Sequence, residues 1–476
     1  MSNTSKQVVD KKYLKQLFFN STDCVINDVD WPIGKGILCY YSSLADGAEV
    51  NKQINIIQQR ASEKMSNWGK TAASNVKPYS EDELVKAVCK GLTAVIFPEA
   101  QVMLTISAQI DFSRAPAEPI SEQIVRGAHD GFVENVQKNL TLVRQKLGRR
   151  DLIVKSIQVG QNTITDITYL YIDSFADKEV VEQFESRLRE IQNENIMNTG
   201  EIEDYLEDDV FSPFPQLLNT ERPDRVVFNL MEGKIAIFTD QSPTVLIAPV
   251  TFFSFYQSPD DFNGRVVVGS FFRLLRIASL VIAIYLPSFY IAVVSFHSEI
   301  LPIEISKKVK LAINDIPYRP IFEAIIMELF IELIREASIR LPKPIGQTIG
   351  VVGGLIIGDA IVKAGLVSNL MVIVVALTAI SSFVVPTLEM NTSIRILRFP
   401  FMAAAAIFGF FGMAIGTIVL LIHLLSLSSL RQPYFAPFIP LDTSRFIDVF
   451  FRTPYFKFHK QQKTFSFRMK KKGRKS

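Results

Sequence analysis

The sequence predicts an α/β soluble N-terminal region of two subdomains followed by an α-helical transmembrane bundle of about four spans. Three observations predict it. From Met1 to about Gly269 charged residues are dense and apolar runs are short, whereas from Phe271 to about Leu430 long stretches are almost uncharged. In the first half, segments rich in β-formers alternate with segments of helical periodicity, the pattern of an α/β unit. In the second half, four segments reach the ~20 apolar residues that a hydrocarbon core requires of a helix. The overall hydrophobic content of 48% hides this split.

A polar segment, 1–21, leads into the first subdomain, 22–115. CVINDVDW and KGILCYYSSLAD read as strands, AEVNKQINIIQQRA (48–61) has helical spacing, and EDELVKAVCKGLTAVI opens with acids as a helix start does. QVMLTISAQIDF (101–112) returns to strand. Pro116 and Pro119 mark a linker. The second subdomain, 130–258, opens with the helical GFVENVQKNLTLVRQKL. DLIVKSIQVG and NTITDITYLYIDSF form a hairpin, KEVVEQFESRLREIQNE is an amphipathic helix, and GKIAIFTD and PTVLIAPV flank a turn at Gln241–Ser242.

The helical domain, 271–430, holds the spans at about 274–296, 345–366, 369–388 and 400–427. Arg273, Arg276, Arg395 and Arg398 sit at span entries, and an even number of spans returns both ends to one side. IFEAIIMELFIELIREASIRLP (321–342) carries too many charges for a lipid-surrounded span. It reads as interfacial, re-entrant or lining a wet cavity.

Beyond Asp448 no acidic residue remains, and the 440–476 tail ends in Lys470, Lys471, Lys472, Arg474 and Lys475. Beside a span, such a block reads as a cytoplasmic tail facing anionic lipid. No aromatic platform accompanies it, so nucleic acid is not expected. Cys24, Cys39 and Cys89 lack metal spacing and fit a reducing compartment. The first twenty residues have no apolar signal core, which again places the N-terminal half on the cytoplasmic side. His129, His297, His423 and His459 stand apart. Neither a metal site, a cofactor site nor a nucleophile–base pair is expected, and the chain does not read as an enzyme.

Gly350, Gly353, Gly354 and Gly358 lie in an apolar segment that no strand feeds. They indicate close helix packing or an unwound, ion-facing stretch rather than a nucleotide loop. Asp359 and Lys363 are four apart, so they pair along one helix, either as a structural ion pair or facing a conduction path. Gln347, Gly354, Gly358, Asp359, Ile361, Val362 and Lys363 form the candidate pore or gate. Glu328, Glu332 and Glu336 share a helix face, read either as a solvated face with internal ion pairs or as an acidic vestibule built by oligomerisation.

From about Glu118 to Pro440 the chain resembles the A subunits of GerA-type spore germination receptors. The strings that carry this are RGAHDGFVENVQKNLTLVRQKL, with Arg126, Gly127 and Gly131; SPFPQ, with Pro215 and Gln216; and TERPDRV, with Arg222, Pro223 and Asp224. EGKIAIFTDQSPTVLIAP, REASIRLPKPIGQTIGVVGG and SNLMVIVVALTAISSF continue the match. Ala128 replaces an expected proline, and Asp359 with Lys363 stands where uncharged amides are expected. The resemblance implies a multi-pass protein of the spore inner membrane. It implies a B subunit resembling amino-acid transporters, a lipoprotein C subunit and self-association into a ligand-gated cation channel. A solute transporter and a non-conducting scaffold for the nutrient-sensing subunit are the alternatives.

Overall fold

A computed structural model describes residues 9–31, 34–60, 74–110, 127–160, 165–192, 198–304 and 316–453, with isolated positions between these runs. The basic run from Lys457 to Lys475 and Arg126 lie outside the described residues. Helix α1 (Lys11–Leu17) is capped by the Asp10 carboxylate, which accepts from the Tyr13 N–H. It packs Leu14 and Phe18 onto a first sheet made of β1 (Cys24–Trp31), β2 (Gly34–Tyr41), β3 (Ser74–Pro78), β4 (Leu92–Phe97) and β5 (Val102–Ser107). Its spatial order is β1-β2-β4-β5-β3, antiparallel throughout. Helices α2 (Gly47–Arg60) and α3 (Glu81–Cys89) cover opposite faces, because the strands alternate two apolar sets. Leu38, Val95, Leu104 and Ile106 meet α2, while Ile37, Cys39, Ala94 and Ile96 meet α3.

The second unit repeats this plan. Helix α4 (Val136–Leu147) precedes β6 (Leu152–Val159) and β7 (Thr165–Ile172). Then come α5 (Lys178–Glu190), α6 (Thr199–Leu206), β8 (Leu218–Thr220), α7 (Pro223–Met231), β9 (Ile235–Thr239) and β10 (Val245–Ala248). The order β6-β7-β9-β10-β8 is that of the first sheet, strand for strand. Helix α4 starts at Asn135, whose side chain accepts from the Lys138 N–H, and stops at Gly148, which adopts φ 55°. The units meet where Arg144 of α4 reaches Asp23, and where Thr22 donates to the Val154 carbonyl.

A short helix, α8 (Pro259–Asn263), joins this region to the bundle of α9 (Val266–Phe296), α10 (Pro320–Arg340), α11 (Lys343–Lys363), α12 (Asn369–Phe383) and α13 (Leu388–Ser426). A last helix, α14 (Thr443–Phe450), returns to the start of α9, where Arg273 donates to the Asp448 carbonyl. Two helices, α9 and α13, are long and apolar enough to cross a membrane, and α12 is a shorter apolar helix. Helix α9 rises from the α/β region to His297, which stacks on Phe410. Helix α10 descends beside it, from Glu323 at the level of Ser368 to Arg335 at the level of Ser382. Helix α11 climbs back, and α12 descends to Thr387, whose hydroxyl donates to the Phe255 carbonyl.

Helix α13 is a hairpin rather than one rod. Gly409 takes φ 59° and ψ −137°, which only glycine adopts readily. The arms on either side run antiparallel: Tyr285 touches both Phe401 and Thr417, and the 212–213 segment touches both Ser393 and His423. Gly412 lies so close to the Ala404 carbonyl that any side chain there would collide with it. The expected span at 400–427 is therefore corrected. The helix begins at Leu388 and turns at Gly409, because a glycine reversal inside an apolar run has no compositional mark. Among the described residues six helical legs run between the two ends of the bundle, where the sequence reading expects about four spans. An even number of legs brings Leu427 back beside the α/β region.

One apolar core joins the two halves. Val154, Leu170, Phe238 and Val245 of the second sheet pack continuously with Phe214, Phe252 and Phe255, then with Ala283, Ile284, Phe401 and Leu424 of the bundle. A separate cluster at the far end gathers Ile291, Met327, Ile361, Met371, Met402 and Met413.

Candidate functional site in the helical bundle

Two ion pairs join α10 to α13, and another lies along the exposed side of α11. Glu328 is fully buried and pairs with Arg398, which is 1% exposed and also donates from Nε to the Ala283 carbonyl at 3.1 Å. Glu332 pairs with Arg395. Asp359 and Lys363 pair at 2.7 Å within α11, with most of both side chains exposed. A buried carboxylate is costly unless an opposite charge and hydrogen bonds meet it, so the first two pairs fix α10 to the first arm of α13. The helix expected to be interfacial, re-entrant or lining a wet cavity runs the length of the bundle, with Glu328 and Glu332 matched by arginines from another leg. Of the expected acidic vestibule, Glu328 and Glu332 lie in these contacts, and only Glu336 is open, paired with Arg340 on its own helix at 2.6 Å.

The sequence reading missed Glu323. It is fully buried, and its Oε2 accepts from the Ser368 N–H at 2.9 Å while Ser368 caps α12 by accepting from Met371. The signal was a serine directly before an apolar run. The partner, forty-five positions away, had no signal.

The candidate pore residues all fall on α11. Its first turn is pressed onto α10 by Gly346, where a Cβ would lie 2.6 Å from the Ser338 carbonyl. Gly350 faces the Ser338 hydroxyl, whereas added Cβ atoms at Gly353, Gly354 and Gly358 would meet nothing within 4 Å. Val351 and Leu355 on the same helix are about two-thirds exposed or more, at 67% and 73%. Ile361 turns inward to the far cluster, Val362 is half-buried, and Asp359 and Lys363 face out. Gln347 is helical, and its side chain lies outside the described residues. One side of α11, with Gly346 and Gly350, therefore binds α10, and the side with Gly354 and Gly358 is open.

The motif residues of the α/β region gather where it meets the bundle. The Phe132 N–H donates to the Glu221 carbonyl, which brings the segment carrying Gly127 and the buried Gly131 against the turn before α7. Buried Arg222 donates to Asp224 at 2.6 Å and to the Ala128 carbonyl at 3.2 Å, and Pro223 opens α7. Fully buried Gln216 accepts from the Asp208 and Asp209 N–H groups and donates to the Asp209 carbonyl. The Pro215 carbonyl accepts from the Tyr434 hydroxyl at 2.7 Å. Beside α7 a cavity of about 150 Å³ is lined by Arg225, Phe228, Asn229, Lys234, Gln257 and Ser258, among others. Its cations are matched internally: Arg225 by Glu122, and Lys234 by Glu232. Cys24, Cys39 and Cys89 carry free thiols, and among the described residues no group of three metal-binding side chains assembles.

An α/β head whose apolar core continues into a helical bundle, with two helices long and apolar enough to cross a membrane, defines the class of this protein. The chain belongs to the Bacillus/Clostridium GerA spore germination protein family, whose model matches residues 12–464. It is 42% identical over 353 residues to spore germination protein A1 of Bacillus subtilis (strain 168), covering 74% of this chain and 73% of the relative. It is equally similar, 42% over 353 residues, to the uncharacterized membrane protein YfkQ of the same organism, covering 74% of this chain and 69% of the relative. The crystal structure of the N-terminal domain of the A subunit of the Bacillus megaterium spore germinant receptor GerK3 matches at 26% identity and a TM-score of 0.38. That match covers 51% of this chain and 93% of the solved one.

Proposed function

We propose that this chain is the membrane subunit of a nutrient-responsive spore germination receptor and forms an oligomeric, ligand-gated cation channel lined by α11. The open face of α11 carries the proposal. It bears glycines, Gly354 and Gly358, that meet no other group among the described residues, and an exposed ion pair at Asp359 and Lys363. Polar groups at membrane depth are costly unless they meet protein or water, and a ring of copies supplies both. Val362, half-buried in the last turn of this helix, is suited to a hydrophobic constriction, whereas Ile361 packs inward beside it. A B subunit resembling amino-acid transporters and a lipoprotein C subunit are the proposed partners. The spore inner membrane is the proposed location, with the α/β region and the basic tail on the cytoplasmic side. Neither catalysis nor a cofactor enters this function.

The test is potassium retention in dormant spores carrying Val362→Ala, with subunit abundance measured in parallel. Leak without nutrient at normal abundance supports a conducting α11. Normal retention at normal abundance across the whole face removes α11 from the path and favours the scaffold or transporter alternative.

A further inference from the structure

Phe211 is 99% exposed, yet it sits on one of the most heavily hydrogen-bonded turns of the α/β region. Gln216 makes three bonds to the 208–209 backbone, and the Glu207 carboxylate accepts from the Gln216 N–H in return at 2.9 Å. Asp208 pairs with Arg187 and accepts from the Ser428 hydroxyl. The next residue, Ser212, bonds His423 Nε2 at 2.9 Å, and the Pro213 carbonyl accepts from Ser393. The turn is thus fixed against the near ends of both arms of α13. It thereby holds the Phe211 ring in the open, beside half-exposed Val210.

Its position names the occupant. His423 lies in the last turn of α13, between Ile422 and Leu425, which are 62% and 44% exposed. The same arm exposes Ile418 and Val419 one turn deeper. This outward apolar strip stops at the level of Phe211, and Asp208 and Asp209 lie on the turn behind it. An apolar ring followed by charge is the sequence of environments met on leaving a bilayer. We infer that Phe211, with Val210, inserts into the acyl–headgroup boundary of the membrane and sets the depth at which the α/β region rides on it. This rests on the proposed membrane location of the bundle and adds a lipid contact from outside the bundle.

The experiment places a single new tryptophan, Phe211→Trp, in the full-length protein in phosphatidylcholine nanodiscs. A parallel protein carries Phe411→Trp near the tip of α13. Fluorescence is read as the difference from the parent, whose two tryptophans lie in the first hundred residues. Quenching at 211 by a nitroxide near the headgroup end of the acyl chain, exceeding quenching by aqueous iodide, is the expected result. Quenching at 211 by iodide alone overturns the inference in favour of an aqueous surface. Protection from both quenchers overturns it in favour of a protein partner. If the tryptophan at 411 also escapes lipid quenching, the membrane location itself fails, which separates the two claims.

Discussion

Arg144 and Asp23 form a two-bond ion pair, Nε to Oδ2 at 2.8 Å and Nη2 to Oδ1 at 2.7 Å, that joins the two α/β units. Both side chains are almost completely buried, and the guanidinium lies 3.8 Å from the centre of the Tyr41 ring. Asp23 also accepts from the Ser21 and Ser43 hydroxyls. With its acceptors met by an arginine from the second unit, the first unit is held in one orientation.

Arg144→Met therefore leaves a buried carboxylate with two hydroxyls and no counter-charge. Losing one partner of a buried pair costs about 3–5 kcal/mol. The expected outcome is a lower melting temperature for the detergent-solubilised protein. Adding Asp23→Leu to the same protein is expected to recover part of the loss. Unchanged melting of the single variant would show that the joint carries no stability.

Glu328 and Arg398 make the corresponding contact within the bundle. Glu328→Gln is expected to lower subunit abundance in membranes by a cost of the same order, about 3–5 kcal/mol, without causing leak at permissive temperature. Glu336→Gln, on an exposed pair worth about 0–1 kcal/mol, is expected to leave abundance unchanged. Immunoblots of membrane fractions compare them; equal losses would remove the distinction between buried and surface acids drawn here.

These pairs also show what the sequence made legible. Runs rich in β-formers, such as CVINDVDW and the alternating DLIVKSIQVG, became strands because their side-chain pattern alone suits a sheet face. That the two sheets share one strand order was not legible, since Cys24–Trp31 and Leu152–Val159 occupy the same place with unlike residues. In α10, six charges in one segment read as solvent contact, because a charge and its partner seventy positions away leave no local trace. The glycines of α11 and α13 look alike in composition. Only the structure shows Gly409 reversing a chain while Gly354 faces open space.

Glu203, on α6, has its carboxyl pushed up to about 8, first by burial and then by the carboxylates of Glu389, Glu207 and Asp204. An unfolded glutamate titrates near 4.3, so the folded protein holds this proton more tightly. The resulting stabilisation is fully present below about pH 4.3 and is lost as pH rises through about 8. Melting temperatures across that window are expected to fall with pH more steeply in the parent than in Glu203→Gln. Parallel curves for the two proteins would refute the assignment.

The exposed Asp359–Lys363 pair on α11 separates conduction from packing. Under the proposed path, Asp359→Asn alters unitary conductance or cation preference while the subunit persists, because an exposed helix pair contributes only about 0.3–0.5 kcal/mol. A helix that merely packs against a neighbour gives reduced abundance and no change in current. Single-channel recording of the reconstituted variant, alongside the immunoblot, distinguishes the outcomes.

The most direct test of a channel formed by this subunit is ion flux through the purified full-length chain, alone and with its proposed partner subunits, in liposomes loaded with a potassium-sensitive dye. Potassium flux is expected to appear with oligomers of this chain and to rise several-fold with Val362→Ala. Oligomers that are intact by mass measurement and remain tight to potassium, with and without that substitution, in every subunit combination, would contradict the channel.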